Sequence, residues 1–124
     1  MLLLYHVITH YYMKNFSISH FINEGTAVFF NQSTRDHYAS AQATVENESP
    51  SIKNVWQSYY EFNGSSREAY YSIGGAFIQF LIEREGMDKF LAFISDQSYE
   101  HGVEIYGEKL EQIITDFETM LISG

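Results

Sequence analysis

The sequence contains no cysteine and only one proline among its 124 residues. The absence of cysteine excludes disulfides and thiolate metal ligands, and it leaves the redox compartment of the protein open. Basic residues are also scarce, because seven of them stand against sixteen acidic ones and give a net charge of −9. Nucleic-acid binding requires clustered lysine and arginine, so we expect no nucleic-acid partner.

Long apolar runs are missing as well. No stretch approaches the roughly 18 apolar residues that a membrane-spanning helix needs. Residues 1–4 are apolar, but they are too few for a signal peptide and no basic residue precedes them. We therefore expect a soluble chain with no membrane span, and its localisation stays unknown. The length suits one domain, which we assign to residues 1–124.

Apolar residues recur with a helical period along most of the chain, and strand signals are scarce. This pattern predicts an all-α, mainly helical fold. Residues 2–13 are apolar almost all round, which is typical of a helix enclosed by protein. A second helix is expected from a cap at Ser17 or Ser19 to about Asn31. Its predicted apolar stripe consists of Ile18, Phe21, Ile22, Gly25, Val28 and Phe29.

The middle of the chain is polar and then strongly helical. Residues 32–50 are rich in turn formers and predict a loop, followed by a short helix near residues 52–60. A capping box at residues 65–68 predicts the start of the best helix in the chain. We expect that helix to continue to Glu85 and to end at Gly86.

The last third predicts two more amphipathic helices, over residues 87–95 and about 108–122. The inner face of the last one is expected to hold Leu110, Ile113, Ile114, Phe117 and Leu121. An aromatic cluster precedes the long helix and either lines a peptide cleft or packs in the core. Its members are Trp56, Tyr59, Tyr60 and Phe62. Gly25 either lets the second predicted helix approach the first closely or makes a simple packing contact, and Gly74 and Gly75 inside a helix indicate close packing.

Two histidines and a later carboxylate form a candidate metal site. His6 and His10 are four residues apart, so on a helix their rings project from nearly the same face and can share one ion. Glu24, on the next predicted helix, supplies a third ligand and leaves a fourth position for water, as zinc requires. His20, His37 and His101 have no partner at ligand spacing and are expected to be surface or capping residues.

Val7 stands where zinc peptidases of the H-E-x-x-H type carry a glutamate. That glutamate takes a proton from zinc-bound water and returns one to the leaving amine. A valine side chain can do neither. Losing such general acid–base catalysis typically lowers a rate by about 10²–10⁴-fold.

These residues resemble the gluzincin peptidases, in particular the peptidase MA-like domains. Residues 6–10 (His-Val-Ile-Thr-His) are similar to the family's H-E-L-T-H, and residues 20–27 (His-Phe-Ile-Asn-Glu-Gly-Thr-Ala) are similar to its W-L-N-E-G-L-A. Residues 71–81 resemble the segment in which a tyrosine and small residues open a long helix beside the metal. Residues 86–91 and 103–111 resemble the family's G-x-x-K-L-L and its terminal element.

The resemblance implies a zincin-like helical subdomain that binds one Zn²⁺ through His6, His10 and Glu24. It also implies that Tyr71 donates a hydrogen bond to the oxyanion. Two departures stand out: Val7 replaces the general base, and the family's N-terminal β-sheet subdomain does not precede His6 in this sequence.

The resemblance implies zinc-dependent peptide-bond hydrolysis, which we expect to be weak or absent because of Val7. Two alternatives remain. One is a pseudopeptidase that keeps its metal site and binds a peptide or protein without cutting it, and the other is a structural helical domain without metal.

Residues 1–13 are apolar all round, so we also expect self-association or docking of a partner there.

Overall fold

The part of the chain that its computed structural model describes, residues 18–45, 49–57 and 67–123, is mainly helical. These ranges contain no strand, so the predicted all-α class is confirmed. The seven helices in them are α1 (His20–Asn31), α2 (His37–Thr44), α3 (Ile52–Gln57), α4 (Arg67–Glu85), α5 (Met87–Phe93), α6 (Tyr99–Tyr106) and α7 (Lys109–Ser123).

Helix α1 begins and ends close to its predicted positions. Ser19 is its N-cap, and the Ser19 hydroxyl accepts a hydrogen bond from the Ile22 amide at 3.3 Å. The buried face comprises Phe21, Ile22, Gly25, Thr26 and Phe30. The predicted stripe was wrong at Ile18, which precedes the cap and is 61% exposed.

Helices α1 and α4 pack against each other in opposite directions. Phe21 at the start of α1 lies beside Phe77, with ring centroids 6.0 Å apart. Further along α1, Gly25 meets the backbone of Gly74. Val28 then lies against Gly75. Along α1 from Phe21 to Val28, the residues contacted on α4 lie earlier in the sequence, from Phe77 back to Gly74 and Gly75. The two helices are therefore antiparallel.

Two glycines set the separation of this helix pair. A methyl group at Gly25 would lie 2.5 Å from the carbonyl carbon of Gly74 and 2.6 Å from its oxygen. Real Cβ atoms do not approach backbone so closely, and a backbone carbonyl inside a helix cannot move aside. The predicted close packing at Gly74 is therefore confirmed. Gly25 packs against α4, whereas the sequence predicted that it would let the helix of residues 2–13 approach, and those residues lie outside the described ones.

Trp56 joins α3 to the rest of the core. Its ring lies edge-on to three others, those of Phe77, Phe93 and Tyr99, with centroids 5.9, 5.6 and 5.1 Å away. The indole Nε1 donates to the Gln97 carbonyl at 2.7 Å, which satisfies a buried polar group. Trp56 is 2% exposed, so of the two alternatives for this residue core packing is confirmed. Tyr59, Tyr60 and Phe62 lie outside the described residues.

The C-terminal helices follow the predicted pattern. Gly86 ends α4 with φ of +96°, a conformation that L side chains rarely adopt. The buried residues of α7 are the five expected ones, Leu110, Ile113, Ile114, Phe117 and Leu121. The capping box that was predicted to start α4 includes Ser65, which lies outside the described residues.

Two helices were not predicted. Helix α2 lies inside the stretch expected to be a loop, and its N-cap Asp36 accepts a hydrogen bond from the Ala39 amide at 3.0 Å. Helix α6 begins in the same way at Ser98, whose hydroxyl accepts from the His101 amide at 3.1 Å. Both caps are standard N-terminal signals. Helix α2 was overlooked because it is short and carries little apolar periodicity.

The glycine contact predicts a measurable cost of adding one methyl group. Gly25→Ala should lower the free energy of unfolding by about 1–3 kcal/mol or more, because an overpacked contact forces the helices apart. Alanine favours a helix more than glycine does, so propensity alone would raise stability. Urea denaturation measures the difference. Asn31→Ala, an exposed substitution in the same helix, is the control, and a Gly25→Ala protein as stable as that control would contradict the packing argument.

Candidate functional site

Glu24 lies on α1 next to the glycine that contacts α4. Its position is two residues from Ile22 and two from Thr26, both fully buried. At about 100° per residue this spacing places Glu24 on the opposite side of α1 from those core residues. The residue is half-buried. Its carboxylate therefore sits beside the α1–α4 contact rather than within the core.

Tyr71 lies in the first part of α4, one turn before Gly74, and is half-buried. It lines a cavity of about 220 Å³ together with Val28, Gln32, Arg35 and Ser72. Helix α1 supplies one side of this cavity and α4 the other. The tyrosine that the resemblance singled out thus borders open space at the junction of the two helices.

Glu24 and Tyr71 lie on the two helices that meet at the glycine contact. Val28 lies four residues after Glu24, so the two residues share one face of α1. Val28 also shares the cavity wall with Tyr71. Because Gly25 and Gly74 fix the separation and the level of the two helices, they also fix where Glu24 and Tyr71 stand relative to each other.

The other predicted site residues, His6, Val7 and His10, lie outside the described residues. Within residues 18–45, 49–57 and 67–123, no three histidine, aspartate or glutamate side chains come together as a metal-binding group. Glu24 is thus the one predicted zinc ligand whose surroundings are described. The three-ligand site stays a prediction.

Arg35 is a site residue that the sequence reasoning missed. It is exposed, lies between α1 and α2, and lines the same cavity as Tyr71. The guanidinium Nη1 donates to Gln32 Oε1 at 2.7 Å and Nε donates to Ser40 Oγ at 2.8 Å. A basic residue in a stretch of few charges was the available signal, but its meaning depends on Tyr71, which is 36 residues away in sequence.

His37 was expected at the surface or as a cap, and that expectation was wrong. The residue is only 2% exposed, and its ring lies 5.6 Å from that of Phe29. Burial lowers the pKa of His37 below its usual value of 6.5, and the charge of nearby Arg35 lowers it further. A hydrogen bond that the imidazole donates to the Gln32 backbone carbonyl and the charge of Asp36 act in the opposite direction. The imidazole is therefore neutral at physiological pH.

His101 is a second histidine with contacts in the structure. Its ring stacks on that of Phe93 with centroids 6.2 Å apart, and Nε2 lies 3.2 Å from the Ala92 carbonyl. The residue is half-buried. It ties α6 to α5 and lies far in sequence from the cavity residues.

No protein-family model matches the chain, and neither the curated proteins nor the solved structures that were compared with it give a match. The gluzincin resemblance accordingly rests on the motifs of the sequence. Among the helices that the structure describes, none has the length and apolar character needed to cross a membrane.

Buried His37 predicts a specific pH dependence of stability. Its pKa is lower in the folded state than in the unfolded state, so below about pH 6.5 the unfolded chain binds more protons. The contribution is complete above pH 6.5 and is lost as the pH falls. We expect urea denaturation to show a steeper loss of stability between pH 7 and pH 5 in the natural chain than in His37→Gln. His20→Gln, at a half-buried position, is the control, and equal slopes in all three proteins would contradict the argument.

Proposed function

We propose that this chain is a zinc-binding, gluzincin-like domain with weak or no peptidase activity. One observation carries the proposal: Glu24 and Tyr71, the two described residues with assigned roles, lie on the two helices that meet at the Gly25–Gly74 contact, Glu24 next to Gly25 and Tyr71 one turn before Gly74. A ligand and an oxyanion donor must stand close together for this chemistry.

The donor chemistry fits zinc. Two imidazoles and one carboxylate are a common catalytic zinc set, with water in the fourth position. His6, His10 and Glu24 would supply it. Glu24 suits the role because it is a half-buried carboxylate on the side of α1 away from the core. When bound, zinc polarises a carbonyl oxygen and lowers the pKa of its water to about 7.

The chain's own residues account for the low activity that we propose. The Tyr71 hydroxyl would donate a hydrogen bond to the oxygen that gains charge when a peptide carbonyl is attacked. Val7 has no group that accepts or returns a proton. The proposed site therefore binds a peptide and polarises it, but lacks the side chain that moves protons between water and the leaving amine.

Elemental analysis tests the metal site. We expect about one zinc per chain after purification with zinc and dialysis, since two histidines and a glutamate suffice for a stable site. Glu24→Gln and His10→Gln should each lower that content strongly. His101→Gln, which changes a histidine outside the proposed set, should leave it unchanged. Zinc content that is negligible in the natural chain would favour the alternative of a structural helical domain without metal.

Val7→Glu tests the chemistry separately from the metal. The substitution restores the missing general base, so peptidase activity should rise by about 10²-fold or more if the rest of the site is intact. Hydrolysis of fluorogenic peptides, with zinc present, measures it. Val7→Gln is the matched control, because it has a similar size but accepts no proton. A Val7→Glu protein that binds zinc and gains nothing over that control would show that the proposed oxyanion donor or substrate surface does not function.

A further inference from the structure

Arg35 is held in place by neutral groups. Its guanidinium uses one N–H on Gln32 Oε1 at 2.7 Å and another on Ser40 Oγ at 2.8 Å. An arginine has five N–H donors in a rigid fork, so these two bonds orient the group and leave other donors for a ligand. Preorganisation of this kind lowers the entropy lost when an anion binds.

The charge of Arg35 is not neutralised within the described part of the chain. No described carboxylate lies within 4.0 Å of it, whereas Arg84 pairs with Asp116 at 2.7 Å. Asp36 is adjacent in sequence, but its side chain caps α2 by accepting from the Ala39 amide. The nearby His37 is neutral, so it offers no second cation.

The cavity beside Arg35 has the size and lining of a small polar subsite. Its volume is about 220 Å³, and four of its five lining residues are polar: Gln32, Arg35, Tyr71 and Ser72. Arginine matches a carboxylate because two parallel N–H groups can bind its two oxygens. Hydroxyl and amide groups around it can complete the hydrogen bonding of an anion.

We propose that this cavity binds the C-terminal carboxylate of a peptide, with Arg35 as the anchoring residue. The proposal rests on the proposed function for its peptide ligand, because Tyr71 lines the same cavity and would stand next to the last peptide bond. It names the substrate class of the site: short peptides, or protein ends, with a free terminal carboxylate. Binding of the carboxylate itself needs no zinc.

The test compares ligands that differ in one group. N-acetyl-dialanine, its C-terminal amide and acetate are titrated separately into the full chain, with and without zinc, and dissociation constants are obtained by calorimetry or NMR shifts. We expect the free acid to bind several-fold more tightly than the amide. Arg35→Gln should abolish that preference, which corresponds to roughly a fivefold weakening for a charge contact open to solvent.

Matched variants separate the role of this arginine from general effects. Arg84→Gln removes the same charge from an arginine of α4 that pairs with Asp116, and it should keep the preference for the acid. Arg35→Lys keeps the charge but not the fork and should retain part of the preference. Thermal denaturation of each variant checks its fold, and Arg35→Lys replaces Arg35→Gln as the decisive variant if the latter is unfolded.

Each outcome decides between the two proposals. Equal binding of acid and amide by zinc-loaded protein would overturn the carboxylate site and leave the zinc proposal standing. Acid preference that depends on Arg35 in a chain that binds no zinc would support the carboxylate site and overturn the proposed function. Acetate binding as tightly as the dipeptide acid, or equal losses in Arg35→Gln and Arg84→Gln, would overturn the assignment to a peptide terminus.

Discussion

The contact between Gly25 and Gly74 is the constraint on which the arrangement of the candidate site depends. Side chains normally hold packed helices 8–10 Å apart. Here the backbones meet without side chains between them, and a methyl group at Gly25 would lie 2.5 Å from a carbonyl carbon. The contact fixes how far α1 and α4 are shifted along each other, because Gly25 has to lie opposite Gly74. Glu24, which adjoins Gly25, and Tyr71, one turn before Gly74, consequently have a fixed separation.

The electrostatics around that contact differ from those of the chain as a whole. The protein carries a net charge of −9, yet the cavity at Tyr71 is lined by one arginine, three neutral polar residues and Val28. Burial keeps neighbouring His37 neutral, so Arg35 is the cation of this region. An acidic surface concentrates cations and repels anions. A pocket that contains Arg35 would select a carboxylate by local geometry, against the long-range repulsion from the net negative charge.

Most of the fold could be predicted from the sequence because its signals are local. Ser19 caps α1, Gly86 ends α4, and the apolar period of α7 matches its buried face. Helix α2 was not predicted, because eight residues with alanine and polar side chains carry almost no periodicity. Its stability comes from packing against α4. The burial of His37 follows from that packing and could not be read from neighbouring residues.

The residues of the candidate site also fall into those with a local sequence signal and those that depend on tertiary packing. Glu24 and Tyr71 were selected from motifs, and each motif is confined to one helix. Arg35 could be recognised as a site residue only from the cavity that it shares with Tyr71, which is far from it in sequence. Adding a methyl group at Gly25 would shift Glu24, on α1, relative to Tyr71, on α4, while leaving every polar group in place. Glu24, a proposed ligand, is thus adjacent in sequence to Gly25, the residue that positions its helix. A change in packing at Gly25 can therefore disrupt the site without the loss of a functional group.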